Sequence, residues 1–270
     1  MSTASRPGER LRAVVFDVDG TLVDSERHGH RVAFNRAFEE FGLPWRWDEE
    51  GYGELLHVTG GQRRIDGYLA GRGVPESERA ELTPALHGAK TAILKAMVED
   101  GAIEIRPGVA RLLAELAGAG CALAIGTTGS RGWVDGLLRR LFPDTVWDVV
   151  VTGDDVVERK PAPDVFALAL TRLGLGDPTH AVVVEDSGEG LAAARGAGLA
   201  CAVVVNGYTA GHDLTGAGLV LDGFGDPGSP STVLADPCAT GCAGILDMGV
   251  LRMLLERSTE SHIAHREGAG

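Results

Sequence analysis

Five short apolar runs, separated by stretches with helical periodicity, restrict this sequence to an alternating α/β fold. The runs occupy 12–17 (RAVVFD), 122–126 (ALAIG), 148–152 (DVVVT), 181–185 (AVVVE) and 200–205 (ACAVVV). They are rich in β-branched residues and lack the polar alternation of a half-exposed strand, so both faces are expected to be covered. Helical patterns lie between them at 132–141, 164–173 and 189–197. Strands that alternate with helices predict parallel pairing through right-handed crossovers, hence a three-layer α/β/α core.

One interval breaks this rhythm. From the first run to Pro107 lie about 80 residues without a strand run of similar quality, more than a connection needs. Helical periodicity at 30–41 and 63–69 predicts an inserted helical domain instead. The expected division is a core of residues 1–26 and 105–258, a helical cap at 27–104, and a polar, disordered tail at 259–270. Within the core, a last apolar helix is expected at 244–255, after the turn-rich DGFGDPGSPS. Neither an internal repeat nor a coiled-coil heptad pattern is evident.

Charge and cysteine content narrow the partners. With 25 Lys and Arg against 38 Asp and Glu, the formal charge of −13 disfavours broad attraction to nucleic acid or an anionic membrane. No apolar run approaches the roughly 20 residues of a spanning helix. The cysteines at 121, 201, 238 and 242 show neither zinc nor disulfide-framework spacing, and no leader is expected at the N-terminus, so a monomeric cytoplasmic protein is the expectation.

In parallel α/β sheets, ligands bind beyond the carboxyl ends of the strands. Those ends carry Asp17, Thr127, Thr128, Glu185 and Asp186. Asp17 and Asp19 are two residues apart, followed by a glycine suited to a sharp turn and by Thr21. A D-x-D-G element also suits a plain Asx turn or a calcium loop, but the other calcium-loop positions are missing. Later strand ends add hydroxyls at Thr127, Thr128 and Ser130, a cation at Lys160 and the acidic pair Glu185-Asp186. Each has a plainer role open to it, as a helix cap or a solvated charge. Together and in order they supply what phosphoryl transfer needs: hydroxyl donors, a cation and an acidic pair beside the two carboxylates of the first motif.

DVDGT at 17–21, the Thr after the second run, Lys160-Pro161 and Glu185-Asp186-Ser187 resemble the four motifs of the haloacid dehalogenase superfamily, which implies a Rossmann-like core. The insert resembles the helical cap of the subfamily that includes β-phosphoglucomutase and phosphoglycolate phosphatase. DSERHGHRVAFN at 24–35 and YGELLHVTGGQRRI at 52–65 look most like the CbbY proteins, which dephosphorylate xylulose-1,5-bisphosphate, and the likeness extends to VLADP at 233–237.

By this resemblance Asp17 is the nucleophile that becomes an aspartyl phosphate, and Asp19 is the general acid and base. Mg²⁺ is held by Asp17, the Asp19 main-chain carbonyl and Asp186, with Glu185 in support. Thr128, with Thr127 as its register alternative, contacts the transferring phosphoryl group together with Gly129 and Lys160. Ser130 and Arg131 reach the phosphate or the far end of the substrate. Glu26, His30, Tyr52, Arg63 and Arg64 are the implied substrate contacts in the cap, the arginines suiting a second phosphate. Gln62 departs from the pattern, standing where CbbY sequences carry Lys.

The resemblance thus implies a Mg²⁺-dependent phosphatase acting on a small phosphorylated sugar or bisphosphate. A phosphosugar mutase of the β-phosphoglucomutase kind shares the same motifs, and a non-catalytic binding protein on this fold is the more distant alternative.

Overall fold

The computed structural model describes residues 11–58 and 60–267. They form two compact units, one ending at Val23 and resuming at Ile105, the other Asp24–Glu104. Val23 is tied to the first unit by two isolated β-bridges, to Asp19 and to Ile105, and the second unit begins at the next residue.

The first unit is built on β1 (Ala13–Phe16), β2 (Ala122–Gly126), β3 (Val149–Val151), β4 (Ala181–Glu185), β5 (Ala200–Val204), β6 (Leu219–Leu221) and β7 (Val233–Ala235). They form one sheet in the order β3-β2-β1-β4-β5-β6-β7, parallel except for the β6–β7 pair. Its helices are α5 (Val109–Gly118), α6 (Arg131–Leu141), α7 (Asp164–Arg172), α8 (Gly188–Gly196) and α9 (Met248–Glu267), numbered after the four of the second unit.

The five expected strands are all present, and β1, buried along its whole length, lies between β2 and β4. Successive strand residues point to opposite faces. Ala13 and Val15 of β1 pack with Val165, Phe166 and Ala169 of α7 and Leu191 of α8. Helices α5 and α9 also contact the sheet, completing an α/β/α Rossmann-like core.

Two features depart from the expected pattern. The short strands β6 and β7 are not among the five runs. The last helix begins at Met248, later than expected, because Gly244 adopts φ +86° and a side chain there would meet the Ser231 carbonyl at 2.2 Å. That helix continues through Glu267, across most of the stretch expected to be a disordered tail; 268–270 lie outside the described residues.

The second unit contains α1 (Arg31–Glu40), preceded by a π-helical turn at Glu26–His30, then α2 (Glu49–Leu55), α3 (Gly61–Gly71) and α4 (Glu76–Glu99). Helices α1 and α3 pack against α4. Phe34, Phe38, Trp45, Trp47, Tyr52 and Tyr68 form a connected aromatic cluster. Asn35 clamps the chain beside it, donating to the Trp47 carbonyl at 2.8 Å and accepting from its amide at 2.7 Å. Among the described residues no helix is long and apolar enough to cross a membrane, and all four cysteines are free thiols.

Candidate active site

Parallel pairing delivers the acidic groups to one edge of the sheet. The Asp17 amide donates to the Val184 carbonyl at 3.0 Å, which seats Asp17 between the ends of β1 and β4. Lys160 Nζ lies 2.6 Å from Asp17 Oδ1 and 2.5 Å from Glu185 Oε1, a buried ammonium shared by two carboxylates. The other Glu185 oxygen accepts from the Asp186 amide at 2.9 Å, the Ser187 amide at 3.2 Å and the Ser187 hydroxyl at 3.1 Å. Both Glu185 oxygens are therefore committed to donors, which suits it to hold Lys160 and the loop in place. A side chain at Gly190 would meet that carboxylate at 1.9 Å, so α8 must present a glycine there.

Asp186 Oδ2 accepts from Asn206 Nδ2 at 2.7 Å, and the Thr21 hydroxyl donates to Oδ1 at 3.4 Å. Gly20 makes this approach feasible. It has φ +89°, and a Cβ there would lie 2.4 Å from Asp186 Oδ2. Arg106 braces the same loop from behind, donating to the carbonyls of Gly20 at 2.6 Å, Val204 at 2.9 Å and Val205 at 2.8 Å.

Burial and mutual repulsion set the charge state of this cluster. Burial pushes the Asp17 carboxyl up to about 7; Lys160 opposes the rise, while Glu185 and Asp19 add to it. Burial, then Glu185 and Asp17, hold Asp186 well above the usual carboxylate range. Burial would lower Lys160, but the charges and hydrogen bonds of Asp17 and Glu185 reverse this, and its net shift is upward. Oxygens of Asp17, Glu185 and Asp186 lie within 4.8 Å of one another. Three buried carboxylates facing one ammonium leave an excess of negative charge, and an all-oxygen donor set suits a hard divalent cation such as Mg²⁺.

Asp19 is held differently. The Trp133 indole Nε1 donates to both of its carboxylate oxygens, each at 3.1 Å. Thr127 is buried, and its hydroxyl accepts from the Gly129 amide at 3.1 Å, turning that amide inward. Thr128, one residue on, is half-buried, and its side chain makes no hydrogen bond among the described residues. Ser130 is the exposed N-cap residue of α6. Arg131 is drawn away from the carboxylate cluster: its amide donates to Asp154 at 2.8 Å and its guanidinium bonds the Val150 carbonyl at 3.2 Å and the Asp155 carboxylate.

The five expected cap residues lie in the second unit. The Tyr52 hydroxyl donates to Glu26 Oε2 at 2.5 Å and accepts from Arg64 at 3.0 Å. Arg64 also donates through Nε to the Leu55 carbonyl at 3.1 Å and is buried, whereas Arg63 and Gln62 are exposed. His30 Nδ1 lies 3.0 Å from Lys90 Nζ, itself buried and 4.8 Å from the centre of the Phe34 ring.

Sequence reasoning did not single out Trp133, Asn206, Arg106 or Lys90. Asn206 follows the fifth apolar run, so its strand-end position was an available signal. Trp133 could have been noticed in the first turn after the Thr127–Ser130 loop. Arg106 and Lys90 had no signal, since their neighbours are set by tertiary packing.

Known proteins resemble this chain along most of its length. A family model for haloacid dehalogenase-like hydrolases matches residues 11–198. Protein CbbY of Cereibacter sphaeroides is 43% identical over 222 residues, covering 81% of this chain and 94% of that protein. The crystal structure of a CbbY variant from Rhodobacter sphaeroides in complex with xylulose-(1,5)bisphosphate is similar with a TM-score of 0.69 and 42% identity, covering 79% of this chain and 94% of that one. A putative β-phosphoglucomutase from Thermotoga maritima is similar at a TM-score of 0.59 and 28% identity, over 72% of this chain and 86% of that one. Motifs gathered at one sheet edge, a family match over most of the chain and a relative aligned along nearly its whole length lead to one conclusion: the chain belongs to the haloacid dehalogenase-like hydrolases, as a CbbY-like phosphatase acting on phosphoric monoesters.

Proposed function

We propose that the protein is a Mg²⁺-dependent phosphatase of a small sugar phosphate, with xylulose-1,5-bisphosphate the leading substrate, working through an aspartyl phosphate at Asp17. The observation that carries this reading is the buried group of Asp17, Glu185 and Asp186 around Lys160. Lys160 orients Asp17 and lessens its repulsion toward an anionic ester, leaving the other Asp17 oxygen for attack at phosphorus. Asp19 protonates the departing alkoxide and then takes a proton from the water that cleaves the aspartyl phosphate. Thr128 and Ser130 supply hydrogen-bond donors to the phosphoryl oxygens, and the Gly129 amide joins them on exchanging its bond to the Thr127 hydroxyl for one to the substrate. Asp17, Asp186 and the Asp19 main-chain carbonyl would hold Mg²⁺, whose charge offsets that of the phosphoryl oxygens.

Glu26, His30, Tyr52, Arg63 and Arg64 are proposed to contact the substrate, with Arg64 binding the second phosphate of a bisphosphate. The bisphosphate assignment is supported by the CbbY relative whose structure holds xylulose-(1,5)bisphosphate. A phosphosugar mutase is the second reading, favoured by the likeness to the putative β-phosphoglucomutase. One experiment separates them. Incubation with Mg²⁺ and a panel of sugar phosphates should release inorganic phosphate, fastest from xylulose 1,5-bisphosphate, without isomerised product. Isomer without net phosphate would favour the mutase, and full activity in excess chelator would remove the metal.

A further inference from the structure

Helix α6 reaches the site through Trp133, the third residue of the helix and only 6% exposed. Its two equal 3.1 Å contacts to the Asp19 oxygens restrain the rotation of that carboxyl group as well as its position. The indole is itself anchored. Its backbone amide and that of Val134 both donate to the Ser130 carbonyl, at 3.1 and 3.0 Å. A Cβ on Gly129 would meet Trp133 Cδ1 and Val134 Cγ2 at 3.2 Å and Asp19 Oδ2 at 3.4 Å. Loop, indole and carboxyl are thus packed with barely room for a methyl group between them.

We propose that Trp133 is a positioning residue for proton transfer, its N–H aiming the Asp19 carboxyl group at the leaving oxygen. The inference rests on the reading of Asp19 as proton donor. In that step an Asp17 oxygen bonds to phosphorus while the bond from phosphorus to the ester oxygen breaks; the electron pair stays on the ester oxygen, and the Asp19 proton goes to it. An indole offers one donor and no acceptor, so it cannot replace the carboxyl group. It can orient the group, and once Asp19 is protonated only the oxygen without the proton is a good acceptor, which fixes where the O–H points. Misplacing a catalytic group by a fraction of an ångström is enough to slow the step.

The test uses the Mg²⁺-loaded enzyme with xylulose 1,5-bisphosphate and ribose 5-phosphate as alkyl esters and 4-nitrophenyl phosphate as an ester whose leaving group needs little protonation. Trp133→Phe keeps an aromatic ring and removes the N–H. It should lower kcat for the alkyl esters about tenfold, hold KM within about twofold, and lower 4-nitrophenyl phosphate turnover less than about threefold. Trp133→His, which keeps a ring N–H, should recover most of the alkyl-to-aryl ratio. Asp19→Asn should show the same selectivity more strongly. If Asp19→Asn is unselective, the role of Asp19 fails and this inference with it. If Asp19→Asn is selective but Trp133→Phe slows both ester classes equally, or leaves alkyl turnover unchanged or faster, Trp133 does not position the proton. Should Trp133→Phe not fold by circular dichroism, the Trp133→His ratio decides: near wild type supports the proposal, and a collapse toward that of Asp19→Asn overturns it.

Discussion

The two units bury charge of opposite sign. In the core, Asp17, Glu185 and Asp186 are buried around the ammonium of Lys160; in the helical unit the buried charged residues are Arg64 and Lys90, with Glu26 reached through Tyr52. Charge is costly to bury unless it is matched, so an excess left in place marks where a ligand of opposite sign is expected. The core excess calls for a divalent cation. The cationic side chains of the helical unit have polar partners of their own, Tyr52 and the Leu55 carbonyl for Arg64 and His30 for Lys90. The supports differ as well: strand ends and backbone amides fix the core carboxylates, whereas the ring and hydroxyl of Tyr52 and one carbonyl hold Arg64. Side chains held by a sheet edge should tolerate little change, while those held by side-chain packing allow specificity to vary.

The largest expected effect breaks the core side of this contrast. Asp17→Asn should leave the fold intact and abolish turnover, because an amide cannot attack phosphorus. Retention of more than about 5% of wild-type kcat, well above what the loss of a covalent nucleophile permits, would remove Asp17 from that role.

The helical side is tested by substrate selectivity. Arg64→Ala should raise KM for xylulose 1,5-bisphosphate roughly tenfold to a hundredfold relative to ribose 5-phosphate, the loss expected for one charge-assisted phosphate contact. Because Arg64 also bonds Leu55 and Tyr52, its melting temperature must be measured alongside. Restoring a cation at the exposed neighbour, Gln62→Lys, should shift the ratio a few-fold the other way. If neither substitution moves it, the helical unit does not read a second phosphate.

The smallest effect concerns pH and sharpens the charge argument itself. An aspartate raised from 3.8 to about 7 by folding binds its proton more tightly folded than unfolded, so stability falls as pH rises through that window, and the loss is complete above it. Without metal, wild type should therefore lose stability relative to Asp17→Asn between pH 5 and 8, by on the order of 1 to 4 kcal/mol. His87, held below its usual value mainly by burial, acts in the opposite sense below pH 6.5, but in both proteins alike. Mg²⁺ should stabilise wild type more at pH 8 than at pH 5. Thermal melts that show parallel pH curves for the two proteins would contradict the buried charge excess.

Much of the core was legible from local pattern. The runs at 122–126 and 181–185 match β2 and β4 residue for residue, because strands covered on both faces must be apolar throughout. Parallel pairing then carries Asp17, Thr127 and Glu185 to one edge, since register follows from the crossover topology. The short β6 and β7 escaped notice, as did α4, whose 24 residues include Pro84 and show little amphipathic contrast. Arg131, next to the Thr loop in sequence, is drawn instead to Asp155, across a turn that no spacing rule specifies.

By itself the sequence determined the element order, the strand ends and the identity of the reactive groups, because each depends on residue type and near neighbours. Tertiary structure decided which partners those groups have. Lys160 lies 143 residues from Asp17 along the chain and Trp133 lies 114 from Asp19, so only the packed sheet and its helices bring them to 2.6 and 3.1 Å. The elevated carboxyl of Asp17 and the restrained one of Asp19 exist only in that fold, since burial and a fixed donor are properties of the assembled edge and not of the motif DVDGT.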